Sequence, residues 1–375
     1  MHLNRISKTG ILLFILLFQL RDVQSQQLPQ YSMYYVNLFQ FNPAAAGMKN
    51  AHELKLLSRW QWTGAQGAPT TAFVNYTGRI NGKKTYNPSA SRMKNSNELF
   101  SHWQLKSVQG AGAPTTALAK YARRINSNKN SNGNGDSLTA NYDASLTRVA
   151  HGIAGQFYVD QYGAFRSVQG AMGYAVHLPI TKESVLSFGT NLQFSNDQFL
   201  PEKAVVLNPS IPTNAYTGGD ATYDKFMASQ RNQYLFNIDA GFMYYDKSNF
   251  IGISARNLAK SNLELNDQAY PTDRQIHYFF TAGHSFDLSR SLQFSPTFMM
   301  KYMKPSPLSV EISLRTIYKG NYWFAVGYRQ SDAINFALGA KLTKSMHLAY
   351  LYDYNTSRFQ SVVSGGHELS LLFKL

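Results

Sequence analysis

The sequence has 375 residues, no cysteine and a formal net charge of +15, and 44% of its residues are hydrophobic. The absence of cysteine excludes a disulfide framework and any zinc site built on thiolates. A basic surplus suits nucleic acid, anionic lipid or an acidic partner, but no basic helix or base-stacking motif appears. We therefore expect no nucleic-acid partner.

Residues 1–25 have the pattern of a secretory signal peptide. Arg5 and Lys8 precede an apolar run from 11 to 18, and compact residues lead to a cleavage site after Ser25. The run is far shorter than the roughly 20 residues that a membrane-spanning helix needs. We expect an exported chain that can reside in a membrane only through strands.

Residues 26–50 predict an irregular segment. Pro29, the Asn42-Pro43 pair and Gly47 interrupt any long regular element. Tyrosine and phenylalanine side chains between these positions need burial. The segment is therefore expected to pack against the rest of the fold.

From residue 51 onward, apolar and polar residues alternate. In the final stretch Leu369, Leu371 and Phe373 lie on one face, and Glu368 and Ser370 lie on the other. A period of two is typical of a β-strand, because successive side chains point to opposite faces. The strand candidates are 54–62, 71–80, 138–148, 152–160, 171–178, 184–195, 234–245, 249–257, 277–286, 292–302, 308–318, 322–329, 334–342, 347–354 and 367–375.

The pattern predicts an all-β fold, in which residues 51–375 form a transmembrane antiparallel β-barrel. Strands with one apolar and one polar face fit a wall in lipid, and the chain length suits about 14 strands, or 16. Residues 26–50 would then form a plug in the lumen or a segment at the periplasmic mouth. Residues 126–137 and 200–232 are expected to be exposed loops, since long loops of such barrels face outward.

An internal repeat leaves the strand count open. Gly67-Ala-Pro-Thr-Thr-Ala72 returns as Gly112-Ala-Pro-Thr-Thr-Ala117, and both copies end in Arg-Ile-Asn. The pattern indicates one duplicated hairpin. The second copy either adds a hairpin to the wall or forms a long loop.

Small and basic residues recur on the polar side of the strands. Glycines in mid-strand mark bends or close approach of another backbone. The basic residues are either lumen and rim charges or a solvated basic surface. The glycines are Gly173, Gly189, Gly241, Gly283, Gly327 and Gly339. The basic residues are Lys55, Arg59, Lys301, Arg315, Arg329 and Lys341.

The sequence shows no pattern typical of catalysis. The nine histidines are scattered, and no pair has the spacing of a zinc motif. No phosphate loop, dinucleotide fingerprint or nucleophile elbow occurs. We expect no enzymatic activity, no metal and no cofactor.

Several motifs, taken in order, resemble the PorP/SprF family of Bacteroidetes outer-membrane proteins. No single motif is specific, but together they cover nearly the whole chain after residue 25. The residues that carry the resemblance include Pro29, Tyr31, Asn42, Pro43, Gly47, Arg59, Trp62, Arg329, Asp353, His367 and Glu368. The extra Gly-Ala-Pro-Thr-Thr copy departs from the usual family pattern.

The resemblance implies an integral outer-membrane barrel that serves type IX secretion and gliding motility. Its partners would be a secreted protein with a C-terminal sorting domain, other secretion components and outer-membrane lipid. The family offers no catalytic residues to carry over. For the Asn42-Pro43 and His367-Glu368 motifs, a structural role is favoured over direct partner contact.

Two other functions remain open from the sequence. A transport barrel could use basic inner-face residues to pass small anionic solutes. An exported β-sandwich or lectin would have no membrane role, but it would not need apolar faces such as those of 308–318 and 367–375.

Overall fold

The fold is described from a computed structural model, and the description covers residues 31–80, 149–181, 183–203, 232–259, 261–262, 275–304, 306–357 and 363–375. Within these ranges most residues lie in antiparallel strands. No helix in them is long and apolar enough to span a membrane. The strand candidate 138–148, the loop 126–137, the second repeat copy and nearly all of 200–232 lie outside them.

The strands follow one another around a single sheet. Their bounds are β1 Glu53–Trp60, β2 Thr70–Ile80, β3 Ala150–Tyr162, β4 Phe165–Pro179, β5 Ser184–Phe199, β6 Asn232–Asp246, β7 Asn249–Arg256, β8 Ser261–Asn262, β9 His277–His284, β10 Phe286–Ser289, β11 Leu292–Met303, β12 Ser309–Tyr318, β13 Tyr322–Arg329, β14 Ala333–Lys341, β15 Met346–Asn355 and β16 Gly366–Lys374.

The sheet closes on itself as a ring of 14 wall strands. β1 pairs with both β2 and β16, and β9 pairs with both β7 and β11. The short strand β8 pairs with β6 beyond the end of β7, and β10 pairs with β11 beyond the end of β9. Each short strand therefore extends its predecessor. The predicted antiparallel barrel of about 14 strands is confirmed.

A proline explains why β9 and β10 are separate. The β9–β11 ladder ends at the pair Gly283–Thr297, and the β10–β11 ladder resumes at Phe286–Phe294 in the same register. Pro296 lies in the gap and has no N–H to donate, so the ladder is interrupted there.

The two ends of the barrel differ in their connections. At the end where the Leu375 N–H donates to the His52 carbonyl (2.9 Å), the turns after β4, β6, β10, β12 and β14 have two to four residues. We call this the short-turn end, which in outer-membrane barrels faces the periplasm. The connections after β5, β7 and β15 are longer and leave from the outer end.

The connection between β2 and β3 begins and ends at the short-turn end. The chain leaves β2 at Ile80 and enters β3 at Ala150, and both positions lie at the short-turn end. The connection that contains residues 126–137 is therefore attached at the end that carries the short turns.

Alternation separates the two faces of the wall. Leu369 is 37% exposed on the outer face, whereas the neighbouring Glu368 is fully buried inside. Outward tyrosines lie near both ends, such as Tyr318 and Tyr322 at the short-turn end and Tyr328 at the outer end. This distribution matches the aromatic girdles of membrane barrels.

The interior is filled in part by the inner segment, which we define as residues 31–48. It contains two short 3-10 helices, Leu38–Gln40 and Pro43–Ala45, and all its residues except the half-buried Val36 are buried. Four of its five aromatic side chains form one apolar cluster with inward residues of the wall, such as Phe73 and Trp323. The fifth, Phe39, belongs to a second apolar cluster.

Candidate functional site

Four charged side chains meet inside the barrel near its outer end. Alternation turns them inward, and the β1–β16 register sets Arg59 opposite Glu368. The Arg59 Nη2 lies 2.6 Å from Oδ2 of Asp353, and its Nη1 lies 2.8 Å from Oε2 of Glu368. Arg329, at the end of β13, lies 3.6 Å from the same Asp353 oxygen. We call these four residues the charge cluster.

The charge cluster is buried, with exposures between 0 and 3%. Two guanidinium groups face two carboxylates, and Arg329 also contacts Asp332 (2.5 Å) and Glu311 (3.6 Å). Buried charges persist only when they are paired and hydrogen bonded, because their desolvation costs several kcal/mol per ion. The cluster meets this condition through wall residues and through the inner segment.

The inner segment begins at the charge cluster. The backbone N–H groups of Ser32 and Met33 donate to the two Glu368 carboxylate oxygens, at 3.1 and 3.3 Å. The Ser32 hydroxyl donates to Asp353 (3.1 Å) and accepts from Nη1 of Arg329 (2.8 Å). One serine therefore contacts all the charged groups of the cluster, since Arg59 also donates to its hydroxyl at 3.2 Å.

Further along, side chains of the wall donate to backbone carbonyls of the inner segment. These bonds link Arg256 to Gln40, Ser254 to Phe41, Ser187 to Ala44, His177 to Ala46, and Arg79 to both Gly47 and Met48. The donors come from four strands, β2, β4, β5 and β7. The backbone hydrogen bonds within the segment end on other carbonyls, so the wall satisfies carbonyls that would otherwise be buried without partners.

Asn42 fixes the turn between the two 3-10 helices. Its side-chain oxygen accepts from the Ala44 N–H (2.9 Å), which caps the second helix. Its amide nitrogen donates to the carbonyls of Phe242 (2.9 Å) and Ile253 (3.2 Å) on the wall. Pro43 follows at the first helical position, where a missing N–H costs nothing.

Glycines of the wall make room for the inner segment. A Cβ at Gly152 would lie 1.9 Å from the Ala46 carbonyl oxygen, and one at Gly189 would lie 2.4 Å from Pro43. Gly47 itself has a φ of +70° and lies against Gly152. Of the six inner-face glycines singled out in the sequence, Gly173, Gly189 and Gly241 adjoin this segment, while Gly283, Gly327 and Gly339 adjoin side chains of the wall.

Aromatic contacts complete the packing. Tyr31 packs on Phe73 (ring centroids 5.5 Å apart), and Tyr35 meets Trp323 edge to face at 5.8 Å. The Arg315 guanidinium lies 5.1 Å from the Tyr35 ring centroid. Burial raises the pKa of the Tyr31 and Tyr35 hydroxyls well above the ordinary value, so both stay neutral.

The structure places the remaining sequence-predicted residues as follows. Pro29 lies outside the described residues. Trp62 lies in the β1–β2 connection with its ring 6.3 Å from that of Tyr162. His367 faces outward, where Nδ1 lies 2.6 Å from the Tyr350 hydroxyl, and it is therefore separated from Glu368 by the wall.

The basic residues on the polar side of the strands lie inside the barrel. Lys55, Arg59, Lys301, Arg315 and Arg329 are all at most 9% exposed, and Lys341 is half-buried at the short-turn end. Lumen and rim charges are therefore the correct alternative for these six. Sequence reasoning missed Ser32, His177 and Arg256, whose roles depend on contacts across the barrel.

A closed antiparallel ring with an apolar outer face, a polar inner face and its own N-terminal segment inside defines an outer-membrane-type β-barrel. The chain belongs to the PorP/SprF family of type IX secretion system membrane proteins, which it matches over residues 23–132 and 82–373. The two matches overlap over 82–132, the part that holds the second repeat copy. The resemblance noted in the sequence is thereby confirmed.

Comparison with solved structures returned other outer-membrane proteins at very low identity. The toluene transporter TbuX of Ralstonia pickettii is 9% identical with a TM-score of 0.43, covering 92% of this chain and 93% of that one. Omp33 of Acinetobacter baumannii is 7% identical with a TM-score of 0.39, covering 88% and 100%. No protein of curated function matched the chain.

Proposed function

We propose that this protein is an accessory barrel of type IX secretion that supports the export or surface attachment of a cognate secreted protein. That secreted protein would carry a C-terminal sorting domain, and gliding motility is one process the pair would serve. Family membership supports the secretion role. We further propose that the chain acts without catalysis and resides in the outer membrane after removal of residues 1–25.

The observation that carries this proposal is the inner segment bound within the barrel. It is held at one end by the charge cluster and along its length by donors from the wall. A barrel that keeps its own chain in the lumen is better suited to scaffolding than to free diffusion of solutes. Recognition would then fall to the connections, because loops on a rigid scaffold usually carry function.

The alternative is a transport barrel for small anionic solutes. The observation in its favour is the set of basic residues in the interior. Against it, Arg59, Arg329 and Arg256 each contact a buried carboxylate, so these charges are neutralised locally.

A deletion strain separates the two functions. We expect the secreted and surface proteomes, measured by mass spectrometry, to lose one or a few proteins with a C-terminal sorting domain. Uptake of small anionic solutes should stay unchanged. Complementation with the intact gene is the control. An unchanged proteome together with reduced solute uptake would replace the secretion role with the transport role.

Conductance of the purified barrel gives an independent test. We expect little or no ion current through the intact protein in planar bilayers, because the inner segment occupies the lumen. A variant without residues 31–48 should conduct if its wall closes. A large, steady current through the intact protein would favour the transport alternative.

A further inference from the structure

Neighbouring strands bring a group of lysines to the short-turn end of the lumen. Register pairs Lys341 of β14 with His347 of β15, and His347 in turn with Leu372 of β16. Leu372 is opposite Lys55 of β1. At the next inward position of β16 toward the short-turn end, Lys374 is opposite Glu53. Four adjacent strands therefore present these side chains on one inward patch.

Two more lysines complete this patch. Lys344 is exposed in the turn between β14 and β15, and Lys49, which follows the inner segment, reaches Glu53 at 3.3 Å. Glu53 also pairs with Lys55 at 3.0 Å. We name Lys49, Lys55, Lys341, Lys344 and Lys374 the basic mouth. Five lysines around one glutamate leave a net charge of +4.

The charge is polarised along this sector of the wall. At the outer end of β1, β15 and β16 the inward residues Arg59, Asp353 and Glu368 are balanced by Arg329 of β13 in the charge cluster. At the short-turn end of the same strands the named lysines outnumber the one glutamate. A cleft lined by one sign of charge raises the local concentration of oppositely charged groups.

His347 gives a second observation at the same place. Its side chain is 4% exposed, and neither ring nitrogen has a hydrogen-bond partner. The charges that act on it come from Lys374, Lys49 and Lys341, with Glu53 opposing them. A buried imidazole without hydrogen-bond partners is costly unless a ligand or a water molecule supplies the missing hydrogen bonds.

We propose that the basic mouth is a docking site for an acidic segment of a polypeptide that approaches from the periplasmic side. Lys55, Lys341 and Lys374 are at inward positions of their strands, so they face the lumen rather than the lipid. A carboxylate-rich chain entering the mouth could contact these lysines and offer an acceptor to His347. The site goes beyond the export role and does not depend on which protein is exported.

Binding of a defined probe tests the site. The full-length barrel is placed in nanodiscs of zwitterionic phosphatidylcholine, and a fluorescent oligoglutamate peptide is titrated by anisotropy. Replacing Lys341 and Lys374 together by Gln should weaken binding by roughly fivefold or more, since two of the charges that attract the peptide are removed. Added salt should weaken binding to the parent protein.

The matched control is Lys203→Gln with Lys304→Gln, which removes two exposed lysines at the outer end. These changes should leave the affinity for oligoglutamate unaltered. The charge reversal Lys341→Glu with Lys374→Glu should abolish oligoglutamate binding and admit oligolysine. Electrophoretic mobility with and without heating shows that each variant is folded.

Three results would overturn the proposal. The first is equal oligoglutamate affinity in the parent and the Lys341/Lys374 variant. The second is an equal loss in the outer-end control. The third is a variant whose only change is weaker binding to phosphatidylglycerol vesicles, which would make the basic mouth a contact for lipid headgroups.

Discussion

Replacing Arg59 by Met should release the inner segment from the wall. Arg59 contributes the shortest ion-pair contact of the charge cluster, 2.6 Å to Asp353, and a 2.8 Å contact to Glu368. Without it, Asp353 retains Arg329 at 3.6 Å, and Glu368 retains the N–H donors of Ser32 and Met33. Removing one member of a buried pair costs about 3–5 kcal/mol, because an uncompensated charge remains.

The effect can be measured with a single introduced cysteine, since the chain has none. Met33→Cys places a thiol in the inner segment at a position where the side chain is 2% exposed. A loss of about 3 kcal/mol increases the population of the released state by about 10²-fold. Maleimide labelling in the Arg59→Met background should accelerate accordingly.

Two comparisons decide the cause. Arg166→Met removes an exposed arginine of β4 and should leave the labelling rate unchanged. Adding Glu368→Gln to Arg59→Met removes one orphaned charge and should slow labelling again. Equal labelling rates in the Arg59→Met variant and its parent would show that the charge cluster does not hold the segment.

Three further changes test the packing and the outer face. Leu371→Arg should impair membrane assembly by about 2–4 kcal/mol, whereas Leu375→Arg, at the end of the wall, should cost about 0–1 kcal/mol, as measured by urea titration in lipid vesicles; equal costs would refute the position of Leu371 deep in the lipid. Gly152→Ala should destabilise the inner segment by about 1–3 kcal/mol, because the added Cβ would meet a carbonyl oxygen at 1.9 Å. Gly155→Ala, which meets nothing within 4 Å, is its control in a thermal unfolding series, and equal midpoints would refute the close approach. Asn42→Ala removes three hydrogen bonds and should cost about 1–3 kcal/mol, read as faster labelling of the introduced cysteine; an unchanged rate would show that this turn does not anchor the segment.

The wall could be predicted from the sequence because its signal is local. A lipid-facing strand needs an apolar residue at every second position, and this requirement is visible in stretches such as 308–318 and 367–375. The interruption at Pro296 could also have been predicted, since proline cannot donate to a ladder on both sides. The candidate 292–302 is confirmed as the strand β11.

The interior could be predicted only in part. The inward direction of Arg59, Asp353 and Glu368 follows from alternation, but their meeting point depends on closure between β1 and β16. Ser32 and Glu368 are 336 positions apart, and no local pattern links them. The path of the inner segment likewise depends on tertiary contacts. Mid-strand glycines of the wall predict that another backbone comes close, but they do not tell which one.

The inner segment and the wall are specified together, and this affects the choice between scaffold and pore. Glycines at 152 and 189 leave space that this backbone fills, and wall donors such as Ser187 and Ser254 have their acceptors on it. If the segment left, the charge cluster would lose Ser32, and the donors would have to find water. An open lumen is therefore a costly state for this sequence, which favours a barrel that works through its ends rather than through a free channel.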